Sequence, residues 1–179
     1  MDGTTKAPAR RITIAFDGAC KGNPGKGGFA AILINEATGR ERIVKGHSAG
    51  PTTNNQMELS AAIAGLRALR PGAYVTMVGD SQYVVRGFTE WLPGWKAKGW
   101  KTGGGKPVQN VELWKVLGEA VSRHAEVRWT WTKGHAGDEL NERVDEIASG
   151  EAGRGVRLTH ANPRQVASSA KLPHSGKNL

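Results

Sequence analysis

The sequence predicts an α/β domain built on a five-stranded mixed sheet, three antiparallel strands followed by parallel ones, with helices flanking it. Residues 12–47 hold three short strand-like runs separated by tight turns, the pattern of an antiparallel meander. A helix-length amphipathic segment then leads into the apolar run 74–79, which reads as a strand buried on both faces. A connection of that length lets the fourth strand lie parallel to an earlier one through a right-handed crossover.

Taken in order, residues 1–10 read as a flexible lead-in. Strand one sets Ile12, Ile14 and Phe16 on one face and Thr13, Ala15 and Asp17 on the other, with Asp17 at its end. The turn Gly22-Asn23-Pro24-Gly25 leads to a second strand near 28–34, and Thr38-Gly39 to a third at 40–47. Thr53 followed by Gln56 fits a capping box opening a helix over 55–70, which Pro71-Gly72 stops. Helices are expected at 81–92 and 111–124, separated by a basic, glycine-rich, tryptophan-bearing segment, 93–110. The fifth strand, 126–132, places Val127, Trp129 and Trp131 on one face. Trp114, Trp129 and Trp131 are expected in the core. Leu140, Val144, Ile147 and Ala148 recur at helical spacing in a last helix. The catalytic-size domain thus spans 11–150. Beyond it, residues 151–179 lose aromatics and periodicity and read as a basic, disordered tail of net charge +4.

A net charge of +9 and a pI near 10.0 favour an anionic partner, nucleic acid before membrane. The lone Cys20 excludes an intrachain disulfide and fits a reducing compartment. The longest apolar run, 29–34, is too short to span a bilayer, and no apolar segment follows the charges of the first residues. A cytoplasmic protein without a membrane association is expected.

Asp17, Glu58, Asp80 and Asp145 carry the chemistry. Asp80 closes the fourth strand, and Asp17 lies on the strand expected beside it; ligand sites of open α/β sheets gather at such carboxyl ends. Glu58 precedes Ala62, Leu66 and Leu69 on the helix stripe facing the sheet, and Asp145 borders the buried face of the last helix. Singly, each has an ordinary alternative. Asp17 could be a turn residue, Asp80 a helix N-cap, Glu58 a partner of the helix dipole, and Asp145 a solvated carboxylate. Converged, four acids could stay ionised only with cations between them, and oxygen donors select hard divalent ions.

The motifs around these acids resemble type 1 ribonuclease H. They are Asp17-Gly18 with Gly22-Asn23-Pro24-Gly25 and Gly27-Gly28; Thr52-Thr53-Asn54-Asn55-Gln56-Met57-Glu58-Leu59; Asp80-Ser81-Gln82-Tyr83-Val84; Trp95-Lys96 with Gly99-Trp100-Lys101-Thr102; Lys133-Gly134-His135-Ala136-Gly137; and Asn141-Glu142-Arg143 with Asp145. They fall in family order over residues 11–150. The resemblance implies a ribonuclease H-like fold and cleavage of the RNA strand of RNA/DNA hybrids to 5′-phosphate and 3′-hydroxyl ends. It implies that Asp17, Glu58, Asp80 and Asp145 bind two Mg²⁺ ions with substrate present, Mn²⁺ being able to substitute, and that His135 assists proton transfer or product release.

The resemblance also implies contacts to the hybrid from Asn23, Asn54 and Gln56, with Asn55 adding to them, and a grip on a DNA-strand phosphate by Thr53. Residues 93–110 resemble the family's basic handle, in which Lys96, Lys98, Lys101 and Lys106 would neutralise phosphates. Trp91 and Trp95 would pack against DNA sugars. The chain departs from the family at Ala19, often serine, at Gly103-Gly104-Gly105, often charged, and in the tail. A monomer with no obligate protein partner is expected. The alternatives are a noncatalytic hybrid-binding module on the same fold, which loss of any acid would favour, and an integrase-like nuclease, against which the handle argues.

Overall fold

A computed structural model describes residues 10–134 and 137–154. His135, Ala136 and the segments before 10 and after 154, with the lead-in and most of the tail, lie outside the described residues. The elements run β1 (Arg11–Lys21), β2 (Lys26–Asn35), β3 (Glu41–His47), α1 (Asn54–Arg67), β4 (Tyr74–Gly79), α2 (Gln82–Arg86), α3 (Leu92–Ala97), α4 (Val111–Ser122), β5 (Glu126–Trp131) and α5 (Glu139–Arg154). The sheet order is β3-β2-β1-β4-β5. β1 and β2 pair antiparallel, as do β2 and β3, whereas β4 lies parallel to both β1 and β5. This is the mixed sheet that the alternation and crossover length predict.

The two sheet faces carry separate cores. Ile12, Ile14 and Phe16 pack with Leu59, Ile63 and Leu66 of α1, Met77 of β4, and Trp114 and Leu117 of α4. Ala15, Ala30 and Ile32 point the other way, onto Val144 and Ala148 of α5. Each fully buried Leu, Ile or Met contributes about 1.5–3 kcal/mol. Small residues set the layer spacing. A Cβ at Gly28 would run into the α5 backbone at Ala148, Glu151 and Ala152, so glycine lets that helix lie against β2.

The capping box at the start of α1 is present. Thr53 Oγ1 accepts from the Gln56 backbone N–H (3.3 Å), and Gln56 Oε1 accepts from the Thr53 N–H (3.1 Å).

Four expectations change. β1 continues past Asp17 to Lys21, because Gly18, Ala19 and Cys20 go on pairing with β2. The helix expected to stop at Leu92 widens into a π-helical stretch, Gly87–Trp91, and resumes as α3; Pro93 sits in the first turn, where no N–H is needed. Trp131 is exposed rather than in the core, since β5 reaches beyond the elements that cover Trp129. Finally, α5 runs through Gly150 to Arg154. Glu151 and Ala152 are buried, and Glu151 pairs with Lys45 (3.0 Å) and His47 (3.4 Å) of β3. The domain therefore includes 151–154, which composition alone assigns to the tail.

Candidate active site

The cleft originates in unequal strand lengths. β1 pairs with β4 only up to Ala15–Val78, yet continues along β2 to Lys21. Asp17 thus stands in mid-strand, opposite Ala30, with no β4 residue on its other side. Asp80 follows the last residue of β4. Glu58, one turn into α1, reaches the same point because Gly18 lets the helix approach β1; a Cβ there would strike the backbone of Met57 and Glu58.

Carboxylate oxygens of Asp17, Glu58 and Asp80 lie within 4.8 Å of one another. Asp145, half-buried on α5, lines the same open cleft of about 550 Å³, together with Gly18, Cys20, Asn54, Asn55, Ser81, Gln82 and Tyr83. All four predicted acids meet there, three in one tight group and the fourth at its margin.

The ordinary alternatives fail on geometry for three of them. Asp17 occupies a paired strand rather than a turn. Ser81, not Asp80, caps α2 by accepting from the Val84 N–H (3.3 Å). Glu58 is buried, with Oε2 lacking a hydrogen-bond partner among the described residues, so it is not a solvated dipole partner. Among the described residues, three N–H groups serve the tight group of Asp17, Glu58 and Asp80. Gly18 N–H donates to Asp17 Oδ1 (2.8 Å), Asn54 Nδ2 to Glu58 Oε1 (3.5 Å) and Asn141 Nδ2 to Asp80 Oδ2 (3.5 Å).

Without a counter-charge this arrangement is costly. Burial, then the nearby Asp80, pushes the Asp17 carboxyl up to about 7, partly offset by the Gly18 N–H. Burial followed by Asp17 and Asp80 holds Glu58 well above the ordinary carboxylate range. An orphaned buried oxygen, three convergent hard donors and raised carboxyls fit a divalent cation.

Around the acids, the loop after β5 approaches closely. A Cβ at Gly134 would overlap Asp80 Oδ2, so that glycine is part of the carboxylate's seat. Trp131 Nε1 donates to the Asp80 carbonyl (3.0 Å), and Thr132 Oγ1 to Asp138 Oδ2 (3.2 Å).

A second cleft of about 400 Å³ is lined by Asn23, Thr53, Asn55, Gln109 and Asn110, all uncharged and polar. Asn55 lines both clefts. Gln56 lines neither, and its amide is engaged inside the protein by Thr52, Thr53 and Asn110. Asn110 and Gln109 escape sequence reading because a lone amide before a helix looks like a cap.

Lys96, Lys98 and Lys101 are exposed on α3 and the loop after it, whose strand-like neck is the Lys101–Pro107 bridge. Trp91 and Trp95 are half-buried in an aromatic row. Trp91 meets Tyr83 (6.4 Å) and Trp95 (5.9 Å), and Trp95 meets the buried Trp114 (5.3 Å).

The family model described as RNase H matches residues 9–153. The chain belongs to the ribonuclease H family. It is 51% identical over 139 residues to ribonuclease H of Pseudomonas paraeruginosa, covering 78% of this chain and 91% of that protein. With ribonuclease H of Bordetella pertussis it shares 53% over 148 residues, 82% of this chain and 93% of that one. Among solved structures it resembles LC9-RNase H1, a type 1 RNase H with the type 2 active-site motif, at TM-score 0.74 and 30% identity, covering 91% of this chain and 83% of that one. As a type 1 ribonuclease H it is an enzyme, and its acidic cluster is suited to divalent metal. No helix among the described residues is long and apolar enough to cross a membrane.

Proposed function

We propose that this ribonuclease H hydrolyses the RNA strand of RNA/DNA hybrids, leaving 5′-phosphate and 3′-hydroxyl ends, as a monomer in the cytoplasm. The observation that carries the reading is the group formed by Asp17, Glu58 and Asp80 in an open polar cleft, on a chain half identical to curated ribonucleases H. Asp17, Glu58 and Asp80 would hold Mg²⁺, with Asp145 joining them for a second ion when substrate is present; Mn²⁺ would fit the same oxygens. When bound, such ions activate a water and neutralise charge on the phosphate and the departing 3′-oxygen.

The chain's own residues supply the rest. Burial fixes Glu58 and Asp17, and Gly134 limits where Asp80 can sit, so the donors are placed before substrate arrives. His135, next in sequence to Gly134, takes up a proton or helps product leave; an imidazole titrates in the useful range. Asn54 and Asn55 at the cleft and Asn23 beside it read the RNA strand through its 2′-hydroxyls. Thr53 and Asn110 in the second cleft hold a DNA-strand phosphate, and the exposed Lys96, Lys98 and Lys101 add sequence-independent attraction along the duplex. One structural neighbour, LC11-RNase H1, was solved in complex with an RNA/DNA hybrid; at 22% identity and TM-score 0.61 it attests the shared fold.

The test is a labelled RNA offered single-stranded, paired with RNA and paired with DNA, in Mg²⁺, with the wild type and with Asp80→Asn. Cleavage confined to the hybrid and lost in the variant is expected. Equal cleavage of all three, or undiminished cleavage by the variant, overturns the reading.

A further inference from the structure

The two clefts share Asn55, and Tyr83 links them a second way, through its bond to Asn110 of the second cleft. Its ring meets Trp91 (6.4 Å) and Trp114 (5.3 Å), and it lines the cleft of the acids. Its hydroxyl oxygen accepts from Asn110 Nδ2 (3.1 Å) and from Trp114 Nε1 (3.2 Å). Asn110 Oδ1 accepts in turn from Gln56 Nε2 (3.3 Å), and Gln56 Oε1 accepts from Thr52 Oγ1 (2.8 Å) and the Thr53 N–H (3.1 Å).

The polarity of this chain of bonds is settled from its two ends. A backbone N–H and an indole N–H can only donate. The Thr53 N–H therefore fixes Gln56 Oε1 as the acceptor and Nε2 as the donor. That donor fixes Asn110 Oδ1 as an acceptor and leaves Nδ2 for Tyr83. Reversing the Asn110 amide would set its NH₂ against that of Gln56. Asn110 stands in the left-handed backbone region, φ 57°, immediately before α4, and its side chain is held at both ends by Gln56 and Tyr83, groups far away in sequence. Nδ2 carries two N–H groups and Tyr83 takes one. The other has no partner among the described residues and remains as a donor in a residue that lines the second cleft.

We propose that Tyr83 is a positioning residue for substrate binding: with Gln56 it presets the Asn110 amide so that the second cleft presents a fixed donor to a DNA-strand phosphate. The inference rests on the hybrid reading above. It assigns Gln56 a role through Asn110 rather than through direct contact by its side chain.

The test uses Tyr83→Phe, which keeps the ring contacts and removes only the hydroxyl, together with Asn110→Ala and the double variant. Hybrid affinity is measured by fluorescence anisotropy in EDTA, and cleavage kinetics in Mg²⁺. The hybrids carry a single neutral methylphosphonate at successive DNA positions. In the wild type, one position weakens binding. In Tyr83→Phe, Kd and KM rise roughly three- to tenfold, kcat stays within about twofold, and the methylphosphonate at that position costs little more. Asn110→Ala behaves alike, and the double variant is no worse than Asn110→Ala alone. Independent, multiplying effects of the two substitutions overturn the proposal, as does full methylphosphonate sensitivity retained in Tyr83→Phe. If the wild type binds hybrid but no DNA position is sensitive, the preset donor is also refuted, while hybrid cleavage still stands. Failure of the wild type to bind or cleave hybrid instead sinks the functional reading along with it.

Discussion

Replacing Asp17 by Asn weakens catalysis but stabilises the metal-free protein, and the size of the gain follows from the site. The Asp17 carboxyl sits at about 7 in the folded chain against an ordinary 3.8. A folded-state value raised in this way means that the native protein holds its proton more tightly than the unfolded chain. The associated stability is therefore complete below about pH 4 and is lost as pH rises through about 7. At pH 8 the loss amounts to about 4 kcal/mol, and at pH 5 to under about 2 kcal/mol. The substituted amide carries no charge, and its oxygen can still accept the Gly18 N–H that now meets Asp17 Oδ1 at 2.8 Å. In EDTA at pH 8 the variant should melt roughly 8–16 °C above the wild type, with the gap closing toward pH 4. Millimolar Mg²⁺ should raise the wild-type Tm more than that of the variant, because ligand binding stabilises in proportion to affinity. Calorimetry across pH in EDTA and in Mg²⁺ reads all of this. A variant that melts at or below the wild type at pH 8, or a gap that does not depend on pH, would refute the electrostatic argument.

Other outcomes follow from packing and charge. Gly134→Ala places a methyl on Asp80 Oδ2 and should lower kcat roughly ten- to a hundredfold with little change in Tm, since small misplacements of reacting groups are expensive. Truncation after Gly150 removes the buried Glu151 and Ala152 and should cost about 2–4 kcal/mol by chemical denaturation. Truncation after Arg154 should leave both stability and single-turnover cleavage intact. The triple change of Lys96, Lys98 and Lys101 to Ala should flatten the dependence of log Kd on log salt by up to about 2–3 units, while kcat at saturating enzyme is retained.

The acids are legible because they stand where patterning changes, and the topology that unites them is itself readable from alternation and connection length. What escapes the sequence shares a physical cause. Gly150 faces open space, so nothing local stops α5, and it is the packing of its last turn against Gly28 of β2 and the contacts of Glu151 with β3 that make that turn part of the domain. Pro93 reads as a stop, yet a proline in a first turn is compatible with a helix that resumes. Trp131 keeps the alternation of its strand, but exposure depends on where neighbouring elements end. Gln56 is visible as a capping residue and Asn110 as an amide before a helix; their bond spans 54 positions and no local pattern encodes it. Local rules thus recover elements and the acids, whereas the link between the clefts emerges only from tertiary contacts.

The central claim is that Asp17, Glu58, Asp80 and Asp145 act as one cation site on an RNA strand paired with DNA. Single-turnover cleavage of a hybrid, measured across Mg²⁺ concentration for the four single acid-to-amide variants, tests it most directly. Asp17→Asn, Glu58→Gln and Asp80→Asn should each lose at least roughly a hundredfold in rate, with a smaller loss for Asp145→Asn at the margin of the group. Hybrid cleavage within about threefold of the wild type by any of the first three, or cleavage that persists in EDTA, would contradict it.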